Sequence, residues 1–479
     1  MTIASYAFLA FSLVVVLAYN LHPGVAWRKW VLLIANLCFL STFSHNPVSF
    51  IPLACFLLFG FLAVRAMQRS HRQSEFVWTL AGMLLAFFWL KKYTILPEFT
   101  FLRFAYTTLG LSYIFFRVMH LIIDSHNRDL DRNVGFLSYL NYTLSFTTLV
   151  SGPIQRYPEF IDQHLALERP PLTIIDTGNS LERIVVGFFK VSVLSLVLSL
   201  IQNHAIGELS ASQPLGSRIL TAALVAASYP FYLYCNFSGY TDMVIGIARF
   251  LRIVLPENFD RPFSSLNFLE FWGRWHMTLS SWLKTYVYNP LLMTLMRKYP
   301  SRAVEPFLGV IAFFVTFFLI GYWHGRTSEF IFYGVLLAVG VSVNKLYQLA
   351  MARVLGRRRY RALANNWIYQ SFSRGLNFVF FCFYLLWFWS NWKDIGSMNR
   401  ALGLRAQLLM WLMIWIVSTI LLAAWELVRN GALNVHWRGV RLVRSRYVRT
   451  VWDTVLALLL VVVMELLSLP APDLVYKAF

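Results

Sequence analysis

The sequence predicts an all-α, polytopic integral membrane protein, and three observations carry that reading. Of its 479 residues 58% are hydrophobic and only 13% are charged, where a soluble domain is about a quarter charged. Runs of roughly 18 or more apolar residues, long enough to cross about 30 Å of hydrocarbon, recur along the chain. The excess of basic residues, a formal net charge of +20, gathers in short stretches between those runs. The dense stretches are RAMQRSHR (Arg65 to Arg72), RKYPSR (Arg297 to Arg302), GRRRYR (Gly356 to Arg361) and RGVRLVRSRYVR (Arg438 to Arg449). Such clusters fix topology and meet anionic lipid on the cytoplasmic side, so the charge does not indicate nucleic acid. A second use of the same charge is docking an anionic cytoplasmic donor or carrier protein.

Taken in order, the apolar runs place spans at about 4–20, 30–44, 48–65, 76–90, 104–123, 184–203, 218–234, 239–254, 304–322, 330–350, 371–391, 407–428 and 451–469. The first run, Tyr6 to Tyr19, has no basic stretch before it and no small-x-small cleavage pattern after it, which makes it a retained span and not a signal peptide. Arg28 and Lys29 precede the second span and the Arg65 cluster ends the third, which puts both inside and the N-terminus outside. Pieces near 136–150 and 279–295 are too short or too polar for ordinary spans and read as re-entrant or interfacial. Cys38, Cys55, Cys235 and Cys382 are scattered, so neither a disulfide framework nor a zinc site is indicated. One integral membrane domain is expected over 1–479, with a catalytic core at about 100–350 and flanking spans at 1–99 and 351–479.

Between Leu109 and Gly325 polar residues, glycines and prolines interrupt the apolar sequence repeatedly. Polar groups in the membrane are costly and mark function, so a site is expected there. GYWHG ends a nearly charge-free run at His324, beside Trp323, with Gly321 and Gly325 leaving room for a close approach. An imidazole takes and returns a proton near neutral pH; the plain alternative is an interfacial Trp-His pair at a helix end. FWGRWHMTLSSW, Phe271 to Trp282, sets Arg274, Trp275 and His276 side by side with Thr278 close after. Glu270 and Arg274 are spaced for a helical ion pair, and on a continuous helix His276 points to another face. Trp272, Trp275 and Trp282 also fit an interfacial belt, a role that does not need His276. NFSGYTDM buries Asp242 near Tyr240, either as half of an ion pair with an arginine or as a substrate contact. PENFDRPF, with Glu257, Asp260 and Arg261 between prolines, reads as a rigid turn leading into the Arg-Trp-His stretch. No clustered acids suggest a metal, and no phosphate-loop, serine-elbow or dinucleotide fingerprint sits in a supporting context.

The ordered set NFSGYTDM, PENFDRPF, EFWGRWHMTLSSW and GYWHG resembles the membrane-bound O-acyltransferase superfamily, in its bacterial branch of alginate O-acetylation and teichoic-acid D-alanyl transfer proteins. LGLSYIFFRVMHLIID and LVSGPIQRYPEF fit upstream, and the likeness covers about residues 100–350. It implies a ring of about 11–15 transmembrane or re-entrant helices around a thin core, with a funnel opening to the cytoplasm. It also implies that His324 is catalytic and His276 the second functional histidine, with Arg274, Trp275, Trp323, Asp242, Thr278 and Tyr240 in support. Tyr322 and the Ile114-Phe115 pair depart from the family, which often has leucine and Thr-Phe there.

The resemblance implies a multi-pass protein of a bacterial inner membrane. It would take a short acyl group, acetyl above all, from a cytoplasmic thioester (acyl-coenzyme A or an acyl-carrier protein) to hydroxyls of an exported polysaccharide. EFWGRWHMTLS and SGPIQR favour D-alanyl transfer instead, whereas the extra spans after about residue 400 favour O-acetylation. The thioester is a substrate, so no permanently bound cofactor and no metal is expected. Envelope or membrane partner proteins and lipids are the expected company. The competing class is a carrier of lipid-linked glycan, in which a buried histidine relays protons.

Overall fold

The computed structural model describes residues 1–479 apart from 211, 435, 438–439, 442–444, 467–471 and 473–479. Among the described residues nearly all regular structure is helical, and nine helices are long and apolar enough to cross a membrane. The protein is therefore all-α and polytopic. Strand structure is confined to a two-residue pairing of His436–Trp437 with Val440–Arg441. Parts of the expected 451–469 span and of the Arg438 to Arg449 cluster lie outside the described residues.

Several boundaries move. The spans expected at 218–234 and 239–254 are one 36-residue helix, Leu215–Phe250, with Pro230 inside it. The polar NFSGYTDM stretch does not break it, because Asn236, Ser238 and Thr241 are buried and Thr241 Oγ1 donates to the Phe237 carbonyl at 2.9 Å. Polarity there marks packing against protein, not a helix end. The span expected from 104 starts late, at Leu111, after Gly110 takes a left-handed φ of 72°. FWGRWHMTLSSW is not a continuous helix: Phe268–Trp272 stops at Gly273, and Met277–Leu283 starts with His276 as its N-cap.

The chain divides into two compact units, one formed by Met1–Val191 with Phe237–Glu257, the other by Ser192–Asn236 with Asn258–Pro472. In the first, the centre is Leu111–Asn127, which is buried along almost its whole length. Its Arg117, 1% exposed, donates to the carbonyls of Tyr142, Thr143 and Thr148 at 3.0, 2.9 and 2.7 Å. Those carbonyls belong to the end of Phe136–Thr143 and the irregular chain after it, so the guanidinium supplies the donors that helix continuation would have supplied. The short piece near 136–150 is thus a broken helix held inside protein. His120 Nε2 accepts the Tyr157 amide at 3.1 Å, which places its proton on Nδ1, facing Asp124 at 2.9 Å. In the same unit a Cβ on Gly187 would sit 2.6 Å from the Gly239 carbonyl, so two glycines let two helix backbones touch.

The second unit is organised by Glu305–His324, Ser328–Val354 and Trp367–Trp389. A Cβ on Gly321 would fall 2.1 Å from the Gly334 Cα, and one on Gly334 would lie 2.7 Å from the Phe318 carbonyl. This contact pins the end of the helix that carries His324.

Candidate active site

His276 owes its position to local chain chemistry. Asn267 caps Phe268–Trp272 by accepting the Glu270 amide at 3.0 Å, and that helix closes after five residues. The chain then pairs with the PENFDRPF loop: Asp260 N–H donates to the Arg274 carbonyl and Met277 N–H to the Asn258 carbonyl, both at 2.9 Å. Between those bonds His276 adopts φ 45° and ψ 51°, a left-handed conformation that a non-glycine residue keeps only when its surroundings enforce it.

Asn258 fixes the imidazole. Its Oδ1 accepts the Thr278 backbone amide at 3.2 Å and the Thr278 hydroxyl at 2.8 Å, so the amide orientation is set by an obligatory donor. His276 Nδ1 lies 3.1 Å from the same oxygen and therefore carries the proton, leaving Nε2 as the acceptor nitrogen. Both residues are buried, His276 at 1% exposure and Asn258 at 0%. Burial first, and then the nearby His324, hold His276 well below the ordinary histidine value. The ring is neutral at physiological pH. Asn258 lies in a loop read as a charged brace, and no feature of the sequence singled it out.

His324 belongs to the same unit and is 3% exposed at the end of its helix. Its ring centroid lies 4.7 Å from Trp323, 5.1 Å from Phe388 and 5.8 Å from Tyr333. The two histidines expected from separate segments thus stand in one compact unit, and His324 is near enough to His276 to contribute to lowering its pKa.

The remaining expected residues divide. Arg274 Nη2 bonds Glu270 at 2.9 Å and its Nη1 approaches Asp260 at 3.9 Å, which ties the cap helix to the loop. Trp275 is 2% exposed and packs on Phe271, Phe381 and Phe259 at 5.6, 5.0 and 5.1 Å. Trp272 and Trp282 are 4% and 6% exposed, so none of the three tryptophans forms an interfacial belt; they are core.

Asp242 and Tyr240 belong to the first unit. Asp242 accepts from Arg183 Nε at 2.9 Å and Lys190 Nζ at 2.7 Å, and Arg183 also grips Glu257. That is the ion-pair alternative, with a lysine added. Tyr240, fully buried, accepts the Ser151 amide at 3.2 Å and donates to the Thr147 carbonyl at 3.3 Å. Both residues brace the first unit.

Comparison with known proteins identifies the family. The profile of the MBOAT, membrane-bound O-acyltransferase, family matches residues 66–386. The chain is 27% identical to the teichoic acid D-alanyltransferase of Bacillus subtilis over 377 residues, 75% of this chain and 90% of that protein. It is 32% identical to the peptidoglycan O-acetyltransferase of Helicobacter pylori over 216 residues, 45% of this chain and 38% of the relative. A probable alginate O-acetylase of Pseudomonas putida is 27% identical over 237 residues, 50% of this chain and 45% of that protein.

Proposed function

Because the chain belongs to the membrane-bound O-acyltransferase family, we propose that it moves a short acyl group, acetyl above all, from a thioester to hydroxyls of a cell-envelope polysaccharide. The observation that carries the mechanism is the pair of buried histidines in one unit, one of them with its tautomer fixed. The hydroxyl oxygen attacks the thioester carbonyl, the C–S bond breaks, and the hydroxyl proton ends on the departing thiolate. His324 takes that proton and returns it. His276, neutral and presenting Nε2 as an acceptor, orients the acceptor hydroxyl by taking its hydrogen bond. Donation to the tetrahedral oxyanion, the other role open to a histidine, does not suit a ring whose N–H faces Asn258. Phe388, Tyr333 and Trp323 around His324 keep out water that would hydrolyse the thioester.

The donor in this reading is acyl-coenzyme A or an acyl-carrier protein reached from the cytoplasm. The acceptor is met on the far side of a bacterial inner membrane, with envelope proteins completing the modification. D-alanyl transfer to a teichoic-acid-like polymer is the second reading, favoured by the 90% coverage of the Bacillus relative. Ester analysis of envelope glycan with and without the protein separates the two: acetate supports the first, D-alanine the second. A general base contributes about 10²–10⁴ in rate. His324→Ala is therefore expected to remove nearly all acyl transfer while the protein still inserts; wild-type ester content in that variant defeats the assignment.

A further inference from the structure

Arg28 was expected as a topology charge at the membrane surface, yet it is 0% exposed. It lies in the first turns of Val25–Ser41, and its Nη2 donates to the Ala166 carbonyl at 2.6 Å. Its Nε and Nη1 are buried with no hydrogen-bond partner among the described residues, although the guanidinium lies beside the Tyr19 hydroxyl. A buried guanidinium left in that state is strongly destabilising. It is not alone. Arg169 Nη1, Arg252 Nε and His164 Nε2 are likewise buried and without partners. Burial, with Arg28 and Arg252 beside it, lowers the Arg169 pKa. All these groups belong to the first unit.

A cavity of about 370 Å³ adjoins this cluster, lined by Ala166, Arg169, Pro170, Arg249 and Arg252 among others. Three carboxylates, Asp162, Glu168 and Asp176, also line it. Two of them are engaged elsewhere: Asp162 is 3.9 Å from Arg132, and Asp176 forms a capping box with Thr173. Hydrogen bonds from Thr173, and then Arg249 and Arg252, help to lower the Asp176 pKa, yet among the described residues no ion pair joins these carboxylates to the arginines of the cavity. Arg169 and Arg252 line the cavity and each carries a donor left unpaired, an arrangement that suits an anion with several acceptor oxygens.

We propose that this cavity binds a phosphate ester, with Arg169 and Arg252 as direct ligands and Arg28 supplying buried positive charge behind Ala166. The ester belongs either to a soluble phosphorylated molecule or to a phospholipid headgroup. Both present the same phosphate oxygens to the arginines. The residues of this site belong to the first unit and the two histidines to the second, and the site is tested by binding, so it survives or fails independently of the acyl-transfer reading.

The test uses the full chain in lipid nanodiscs and follows thermal unfolding, because a ligand bound only by the folded state raises the midpoint. Pyrophosphate and coenzyme A are titrated into phosphatidylcholine nanodiscs, and in a separate arm phosphatidylglycerol replaces part of the phosphatidylcholine. A saturable rise with either soluble probe supports the site and makes the ligand soluble; a rise with phosphatidylglycerol alone supports it and makes the ligand a lipid. In both cases Arg169→Gln and Arg252→Gln are expected to weaken the apparent affinity at least tenfold and Arg28→Met to remove the response. Arg400→Gln, at an exposed position outside the basic clusters, leaves it unchanged. No rise with any of the three probes overturns the proposal, as does a rise that the Arg169 and Arg252 variants keep at full affinity.

Discussion

Asn258 decides which nitrogen of His276 holds the proton, and it does so through one oxygen shared with the Thr278 amide and hydroxyl. Asn258→Ala leaves three donors without that acceptor, at a cost of about 1–3 kcal/mol for each one left unsatisfied. It also frees the ring to change tautomer, and activity is expected to fall by about 10–100-fold, the scale on which the outer partners of metal-bound histidines act. Asn258→Asp keeps an acceptor oxygen in place and is expected to retain more activity than Ala, with its pH profile moved to higher pH as the new carboxylate favours the imidazolium. Equal kcat for wild type and Asn258→Ala would show that the tautomer is not used. The histidines themselves were legible, since an apolar chain has few reasons to carry Trp-His pairs. Asn258 was not, because its partner is 18 residues away and it stands among charged neighbours that drew the attention.

At the scale of elements, two glycine contacts and one ion-pair network set where helices end up. A methyl group on Gly321 would collide with the backbone at Gly334, and overpacking of this kind costs about 1–3 kcal/mol. His324 lies on the same helix, so Gly321→Ala is expected to lower both the unfolding midpoint and kcat, with donor KM changing less; unchanged kcat would mean that the helix contact does not position the histidine. Asp242 takes two cations in a largely buried setting, with side-chain exposures of 16%, 28% and 22% for Asp242, Arg183 and Lys190. Asp242→Asn is expected to destabilise by about 1–3 kcal/mol, less than a fully buried pair would lose. Glu257→Gln, on a half-exposed carboxylate, is expected to cost under about 1 kcal/mol. Unfolding curves of the two variants check the order. Helix existence was readable from apolar length, but the long Leu215–Phe250 helix was not, because hydropathy dips equally at a loop and at a buried polar stripe. The same ambiguity hid the broken helix that Arg117 supports.

For the molecule as a whole, pH is the informative variable. Burial, joined by Arg28, Lys29 and Arg169, pushes His164 down to about 3 from 6.5, and His276 moves the same way. The unfolded chain takes up protons near pH 6.5, whereas the folded chain refuses them. Their stabilising contribution is therefore complete above about pH 6.5 and is lost as the pH falls towards the folded values. The unfolding midpoint is expected to be level between pH 7 and 8 and to fall on acidification below 6.5. His164→Asn should flatten part of that fall, and an unaltered slope would exclude it as a contributor. Composition made the membrane class legible at once. It said nothing of which arginines are surface anchors and which are buried, because charge counts do not distinguish Arg28 from Arg358.

Phe237–Glu257 belongs to the first unit, and Arg183 and Lys190 find their counter-charge there, in Asp242. During synthesis those two cations enter the membrane some fifty to sixty residues ahead of the acid that neutralises them. Until Asp242 is delivered, the nascent first unit holds charges it cannot settle. Premature stop codons upstream of 242 would then yield chains that quality-control proteases recognise as unfinished, while those just beyond 257 would leave a first unit with its ion pairs closed.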